Sequence, residues 1–161
     1  MPTIDIRSAT EADCTLILRF ISELASFENA LEEVVASEED LRQALFGDNP
    51  KVFALICSVD GLTAGCAVYF YSFSTWTGKH SLFLEDLYVS PDHRGSGAGK
   101  ALLKHLAKLA VEKDCGRFEW NVLDWNKSAI DFYESFGALP QNEWIGYRLT
   151  DQALKQFAEG N

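Results

Sequence analysis

The chain has no apolar run approaching the ~18 residues that a membrane-crossing helix requires. Its start, MPTIDIRSAT, lacks the basic stretch followed by an apolar one that marks a secretory leader. The expectation is a cytoplasmic protein that does not enter a membrane. Cysteine is sparse: Cys14, Cys57, Cys66 and Cys115 form no CxxC pair and have no histidine at zinc-like spacing. They read as reduced core thiols. His80, His93 and His105 share no ligand spacing either, so no metal is expected. Positive charge is also short, with 14 Lys and Arg against 24 Asp and Glu and a net charge of −10. That balance opposes general binding to nucleic acid or to anionic lipid. Acidic runs such as LEEVVASEEDL read as solvated helix faces. No repeat, linker or low-complexity tract interrupts the 161 residues, so one domain spanning 1–161 is expected.

What is present reads as alternating strands and helices. TIDIR alternates as a strand, and Thr10 with Asp13 forms a capping box ahead of Leu16, Ile17, Phe20, Ile21 and Leu24 at helical spacing, predicting a helix to about Phe27. Ser37 and Asp40 form a second box before LRQALF. KVFALICSV and TAGCAVYFYSF flank Asp60-Gly61, a strong hairpin signal. SLFLEDLYV is a further strand, KALLKHLAKLAVEK an amphipathic helix, RFEWNVL a strand, NKSAIDFYESF a short helix ended by Gly137, and GYRL a last strand before DQALKQFAEG. A hairpin followed by strand–helix–strand implies a mixed sheet covered by helices, an α/β (α+β mixed) domain.

The acidity has one local exception. From His93 to Val111 the chain carries His93, Arg94, Lys100, Lys104, His105 and Lys108 and no carboxylate. This basic island opens on SPDHRGSGAGK, a small-residue turn between strand and helix. Backbone N–H groups of such a turn, feeding a helix N-terminus, make an anion site. Two familiar loops are ruled out. A Walker A loop needs Gly where Arg94 stands and Ser or Thr where Ala101 stands, and a GxGxxG fingerprint needs Gly in place of Lys100.

The spacing Arg94-x-x-Gly97-x-Gly99, within LFLEDLYVSPDHRGSGAGKALLKHLAKLA and followed by VLDWNKSAIDFYESFGA, resembles the GCN5-related (GNAT) acetyltransferases. Within them it is similar to the small-amine branch of spermidine/spermine and thialysine acetyltransferases, over nearly all the chain to about Leu149. The resemblance implies a central mixed, mostly antiparallel, V-splayed sheet with acetyl-CoA between two parting strands. It places the coenzyme's pyrophosphate on Arg94, Gly95, Ser96, Gly97, Ala98, Gly99 and Lys100. It places the pantetheine arm on the backbone of Leu87, Tyr88 and Val89 and on Asn126 and Ser128. It makes Tyr133 the general acid beside the sulfur.

Acetyl transfer to an amine must first remove a proton. A lysine-like ammonium of pKa about 10.4 is neutral at pH 7 in only about one molecule in 2,500. A base is therefore worth having. Glu85 and Asp86 sit inside an apolar strand, where unpaired carboxylates are expensive. Strict alternation sends them to opposite faces, so they are not expected to share one job. By resemblance Glu85 takes the amine proton, and Phe27, Glu28, Glu85 and Asp86 line the acceptor site. Ser74 and Ile145 stand where polyamine enzymes carry acids, favouring a short primary amine, thialysine- or lysine-like, over a long polycation. No nucleophile motif is present, so the amine attacks directly. A protein N-acetyltransferase or a non-catalytic acyl-CoA-binding protein are the alternatives. The likeness also implies a homodimer.

Overall fold

The computed structural model describes residues 1–160. They divide into two compact units, 1–121 and a second beginning at 122.

The first unit is a five-stranded sheet in the order β1 (Ile4–Ser8), β2 (Val52–Val59), β3 (Leu62–Ser74), β4 (Lys79–Val89), β5 (Arg117–Trp120). All neighbours are antiparallel except β4 and β5, which run parallel. That is the expected mixed, mostly antiparallel sheet. The β2–β3 hairpin turns at Asp60 and Gly61, both with positive φ (51° and 81°), the backbone an Asp-Gly turn is chosen for. The β4–β5 crossover contains α3 (Ala98–Glu112).

α1 (Cys14–Phe27) and α2 (Glu38–Phe46) cover one face. Both expected capping boxes are present. Asp13 accepts from the Thr10 N–H at 2.7 Å, and Ser37 Oγ accepts from the Asp40 N–H at 3.1 Å. Ile17 and Phe20 of α1 and Leu45 of α2 pack on Ala54, Ile56, Cys66, Val68 and Tyr88, with the Phe20 and Tyr88 rings 5.6 Å apart. Each of the large ones among them, Ile17, Phe20, Leu45, Ile56 and Val68, contributes about 1.5–3 kcal/mol by leaving water. α3 buries Leu102, Leu103, Leu106 and Ala110, and Gly99 lies close over the Val89 side chain on the opposite face. Leu109, on the apolar face of this amphipathic helix, is only half-buried. Gly65 lets β3 close on β4, since any Cβ there collides with the Tyr88 carbonyl oxygen. Cys14, Cys57 and Cys66 are buried and Cys115 is half-buried, all as free thiols.

Two features of β4 shape the surface around its C-terminal half. Its pairing with β5 stops at Leu84↔Trp120, so Glu85 to Val89 bond to β3 alone. The strand also carries a β-bulge. Asp86 is opposite Val68 and Leu84 opposite Tyr69, which leaves Glu85 as one extra residue. Counting back from Tyr88 puts Asp86 on the α1 face. Counting on from Phe83, whose ring meets Phe70 at 5.2 Å, puts Glu85 on that same face. The expectation that the two carboxylates point apart is therefore overturned. The extra residue resets the alternation.

The second unit contains α4 (Lys127–Ser135) and α5 (Asp151–Ala158). Asn126 caps α4, its Oδ1 accepting from the Ala129 N–H at 3.3 Å, and Lys127 pairs with Asp131 at 2.9 Å one turn on. Gly137 follows the cap at φ 98°, as a helix-terminating glycine should. The predicted strand GYRL is not one: residues 138–150 adopt no regular structure, and no strand exists among the described residues of this unit to pair with them. β5 is also shorter than the predicted RFEWNVL.

Candidate active site

The turn leading into α3 is built for a ligand. Gly95 and Gly97 hold φ of 80° and 91°, a backbone that side chains resist. Ser96 Oγ donates to the His93 carbonyl and accepts the Ala98 N–H, bracing the loop from inside. Among the described residues the N–H groups of Gly95, Gly97, Gly99 and Lys100 have no protein acceptor. Four unspent donors beside the positive end of a fifteen-residue helix attract a multiply charged anion. Gly99 is informative for a different reason. Its Cβ position meets nothing nearer than Val89 Cγ2 at 3.9 Å, so the fold does not forbid a side chain there.

Arg94 is anchored sideways. Its Nε donates to the Val89 carbonyl at 3.0 Å, and its guanidinium lies over the rings of Phe27 (5.6 Å) and Tyr88 (5.8 Å). This clamps the loop onto the end of β4 and the end of α1. Beside it runs the unpaired edge of Leu87, Tyr88 and Val89, three residues whose outward backbone groups have no strand to bond. An amide-bearing arm laid along that edge would complete the ladder.

At the inner end of this edge lie the acids. Glu85 is exposed and Asp86 half-buried in the bulge, and Glu28, just past α1, is half-buried as well. Burial pushes the Asp86 carboxyl up to about 6, and the charges of Glu85 and Glu28 push it the same way. Burial alone raises Glu28. Asp86 in turn adds to the burial that drives the Cys66 thiol to about 12. No lysine or arginine forms an ion pair with any of the three acids among the described residues. Three carboxylates without a counter-cation make a slot for an external cation.

The first unit thus brings together Phe27, Glu28, Glu85, Asp86, the Leu87–Val89 edge and the Arg94–Lys100 turn. Asn126, Ser128 and Tyr133 belong to the second unit. There Ser128 is exposed and Asn126 spends its Oδ1 on the cap. Tyr133 is half-buried, its ring 5.8 Å from Phe132 and 6.3 Å from Phe136. No group of three or more His, Cys, Asp or Glu in metal-holding geometry occurs among the described residues.

The bulge is what reading by strict alternation misses, although it leaves a trace. The residues turned toward α3 are Leu82, Leu84, Leu87 and Val89, and the step from 84 to 87 is three instead of two. An odd step in a period-two pattern marks an inserted residue.

Comparison with known proteins agrees with this geometry. The profile of the Acetyltransferase (GNAT) family matches residues 18–138. The mouse thialysine N-epsilon-acetyltransferase is 39% identical, over 98% of this chain and 99% of its own. The human spermidine/spermine N(1)-acetyltransferase-like protein 1 is 38% identical over 92% of this chain, which spans 22% of that longer protein. Among solved structures, the integron cassette protein VCH_CASS6 of V. cholerae superposes with a TM-score of 0.80 at 28% identity, covering 98% of both chains. With an anion-seeking turn, a splayed strand edge and a family match over most of its length, this chain belongs to the GNAT acetyltransferases and is an N-acetyltransferase that uses acetyl-CoA.

Proposed function

We propose that the acceptor is the primary amine of a small molecule, a thialysine- or lysine-like amino acid or a short diamine. The observation that carries this reading is the uncompensated acid cluster at the bulge, Glu28, Glu85 and Asp86, at the inner end of the unpaired strand edge. The 39% identity to a thialysine enzyme over 98% of the chain supports the amino-acid class. Ser74 and Ile145, at positions where the resembled polyamine enzymes carry acids, support a short substrate.

In this reading the chain works as one domain. The amides of Gly95, Gly97, Gly99 and Lys100 hold the coenzyme's diphosphate. The edge of Leu87, Tyr88 and Val89 aligns the pantetheine arm, with Asn126 and Ser128 adding polar contacts, and one edge N–H stabilises the thioester oxygen as it gains charge. The carboxylates of the bulge draw in the ammonium and provide its proton with an exit. Tyr133 supplies a proton to the departing sulfur, a role that a phenol O–H is able to fill. Acetyl-CoA itself brings the activated acyl group.

A homodimer and a cytoplasmic setting complete the proposal. Leu139, Ile145, Tyr147 and Phe157 are each more than two-thirds exposed in the single chain, apolar surface that a second copy would cover. Four unpaired thiols suit a reducing compartment. The test is free-thiol release from acetyl-CoA across thialysine, lysine, diamines, polyamines and peptides. Turnover of short amines is expected, with Tyr133→Phe roughly 100-fold slower. Activity confined to peptides would contradict the acceptor class, and coenzyme binding without turnover of any amine would contradict catalysis.

A further inference from the structure

The bulge places two carboxylates on one face, and their surroundings differ. Glu85, the inserted residue, is exposed to water, whereas Asp86 is half-buried on the α1 face directly across from Val68. Resting on the acetyl-transfer reading, we infer that Asp86 is the group that takes the proton from the acceptor ammonium, while Glu85 and Glu28 hold the cation beside it.

Asp86 is met by acids and a thiol. From β4 there is Glu85, from the end of α1 there is Glu28, and from β3 there is the Cys66 thiol. Farther along the α1 side, Glu23, Arg19 and Arg94 act on Tyr88 instead. Arg94 is committed to the Val89 carbonyl and to two rings. Burial therefore disfavours the charged form of Asp86, and the carboxylates nearest it disfavour that form further. A carboxylate held this way is a better proton acceptor than a solvated one, as its rise to about 6 indicates. It also stays ionised near neutral pH, which a base must do. Its position on β4 serves two ends at once: its own backbone lies on the unpaired edge where the coenzyme arm is proposed to run, while its carboxyl faces the acid slot.

Protons and bonds balance. An N–H bond of the ammonium breaks and an O–H bond forms on Asp86, leaving a neutral amine that attacks the acetyl carbonyl carbon. As the C–S bond breaks, Tyr133 gives its O–H proton to sulfur, and the nitrogen's second surplus proton passes through water to the Tyr133 oxygen and restores the phenol. Asp86 then releases its proton to water. Overall, ammonium and acetyl-CoA give acetamide, free thiol and one proton.

The test is the pH dependence of kcat/KM between pH 5 and 9, with acetyl-CoA and thialysine, and again with a short diamine, for the parent, Asp86→Asn, Glu85→Gln and Asp86→Glu. The parent should show a limb rising through an apparent pKa near 6. Asp86→Asn should lose that limb and roughly 100-fold in kcat, regaining rate with alkali as free amine accumulates. Glu85→Gln should keep the limb and mainly raise KM. Asp86→Glu should restore part of kcat, and a thermal shift with coenzyme A in each variant verifies the folded state independently. Loss of the limb in Glu85→Gln with its retention in Asp86→Asn would overturn the assignment while leaving acetyl transfer standing. Retention in both would remove carboxylate base catalysis altogether. A parent enzyme that acetylates neither amine would contradict the proposed acceptor class itself.

Discussion

Two aspartates in the same unit are driven in opposite directions. Asp13 receives both arms of the Arg7 guanidinium, at 2.7 and 2.9 Å, and the Thr10 N–H at 2.7 Å, and these bonds hold its carboxyl down at about 2. Asp86 has no cation and two carboxylate neighbours, and it sits at about 6. Both are withdrawn from water. The first is satisfied by its own chain and serves the helix start it caps. The second is left wanting a partner, as are the amides of Gly95, Gly97, Gly99 and Lys100. Polar groups left without a protein partner are candidates for a ligand, and in the proposed reading one set draws an anion and the other a cation, at the two ends of one strand edge.

The largest effect that could break this contrast lies at the turn. Gly99→Leu should leave thermal stability unchanged or raised, because the backbone there is helical and the space open. It should nonetheless weaken coenzyme A binding about 100-fold, the equivalent of losing two charge-assisted hydrogen bonds to the diphosphate. Calorimetric titration measures the binding; unchanged affinity would show that the amides are not the anion site. At the satisfied aspartate the expectation reverses. Asp13→Ala should cost about 2–3 kcal/mol in chemical denaturation, with kcat at saturating substrates unaffected. Asp86→Asn should do the opposite of Asp13→Ala and add on the order of 1–2 kcal/mol at pH 7, since it removes an unfavourable buried charge. A lower melting temperature in that variant would assign Asp86 a structural partner.

The smallest effect is on the pH dependence of stability, and its sign separates the two groups. The depressed pKa of Asp13 gives stabilisation that is complete above about pH 4 and drains away as pH falls toward 2. The raised pKa of Asp86 means the folded state holds its proton longer than the unfolded one does. Its contribution therefore improves as pH falls from about 6 toward 4. Unfolding of the two single variants against the parent from pH 6 down to pH 2 should show slopes of opposite sign, that of Asp86 between about pH 6 and 4 and that of Asp13 between about pH 4 and 2.

Much of the fold was legible in the residues. The two S/T-x-x-D boxes, the Asp60-Gly61 turn and the α3 pattern each state a local preference that the fold adopts. The glycine turn was legible because positive φ and open space leave glycine little competition. What escaped depended on partners. The bulge needs the register with β3, which is a long-range fact, although the Leu84-to-Leu87 step hinted at it. GYRL has strand-forming residues but no neighbour within its unit, and propensity cannot supply one. Glu85 and Asp86 stood out as costly carboxylates in an apolar strand. That they share one face emerged only once the extra residue was seen.

The most direct measurement is titration of the Asp13 and Asp86 side-chain carboxyls by carbon-detected NMR in the unliganded protein. The expected result is Asp13 near 2 and Asp86 near 6, with the Asp86 value falling when Glu85 is neutralised as Gln. An Asp86 that titrates at or below the ordinary aspartate value of about 3.9 would mean that the chain already satisfies it, and the contrast between the two sites would be gone.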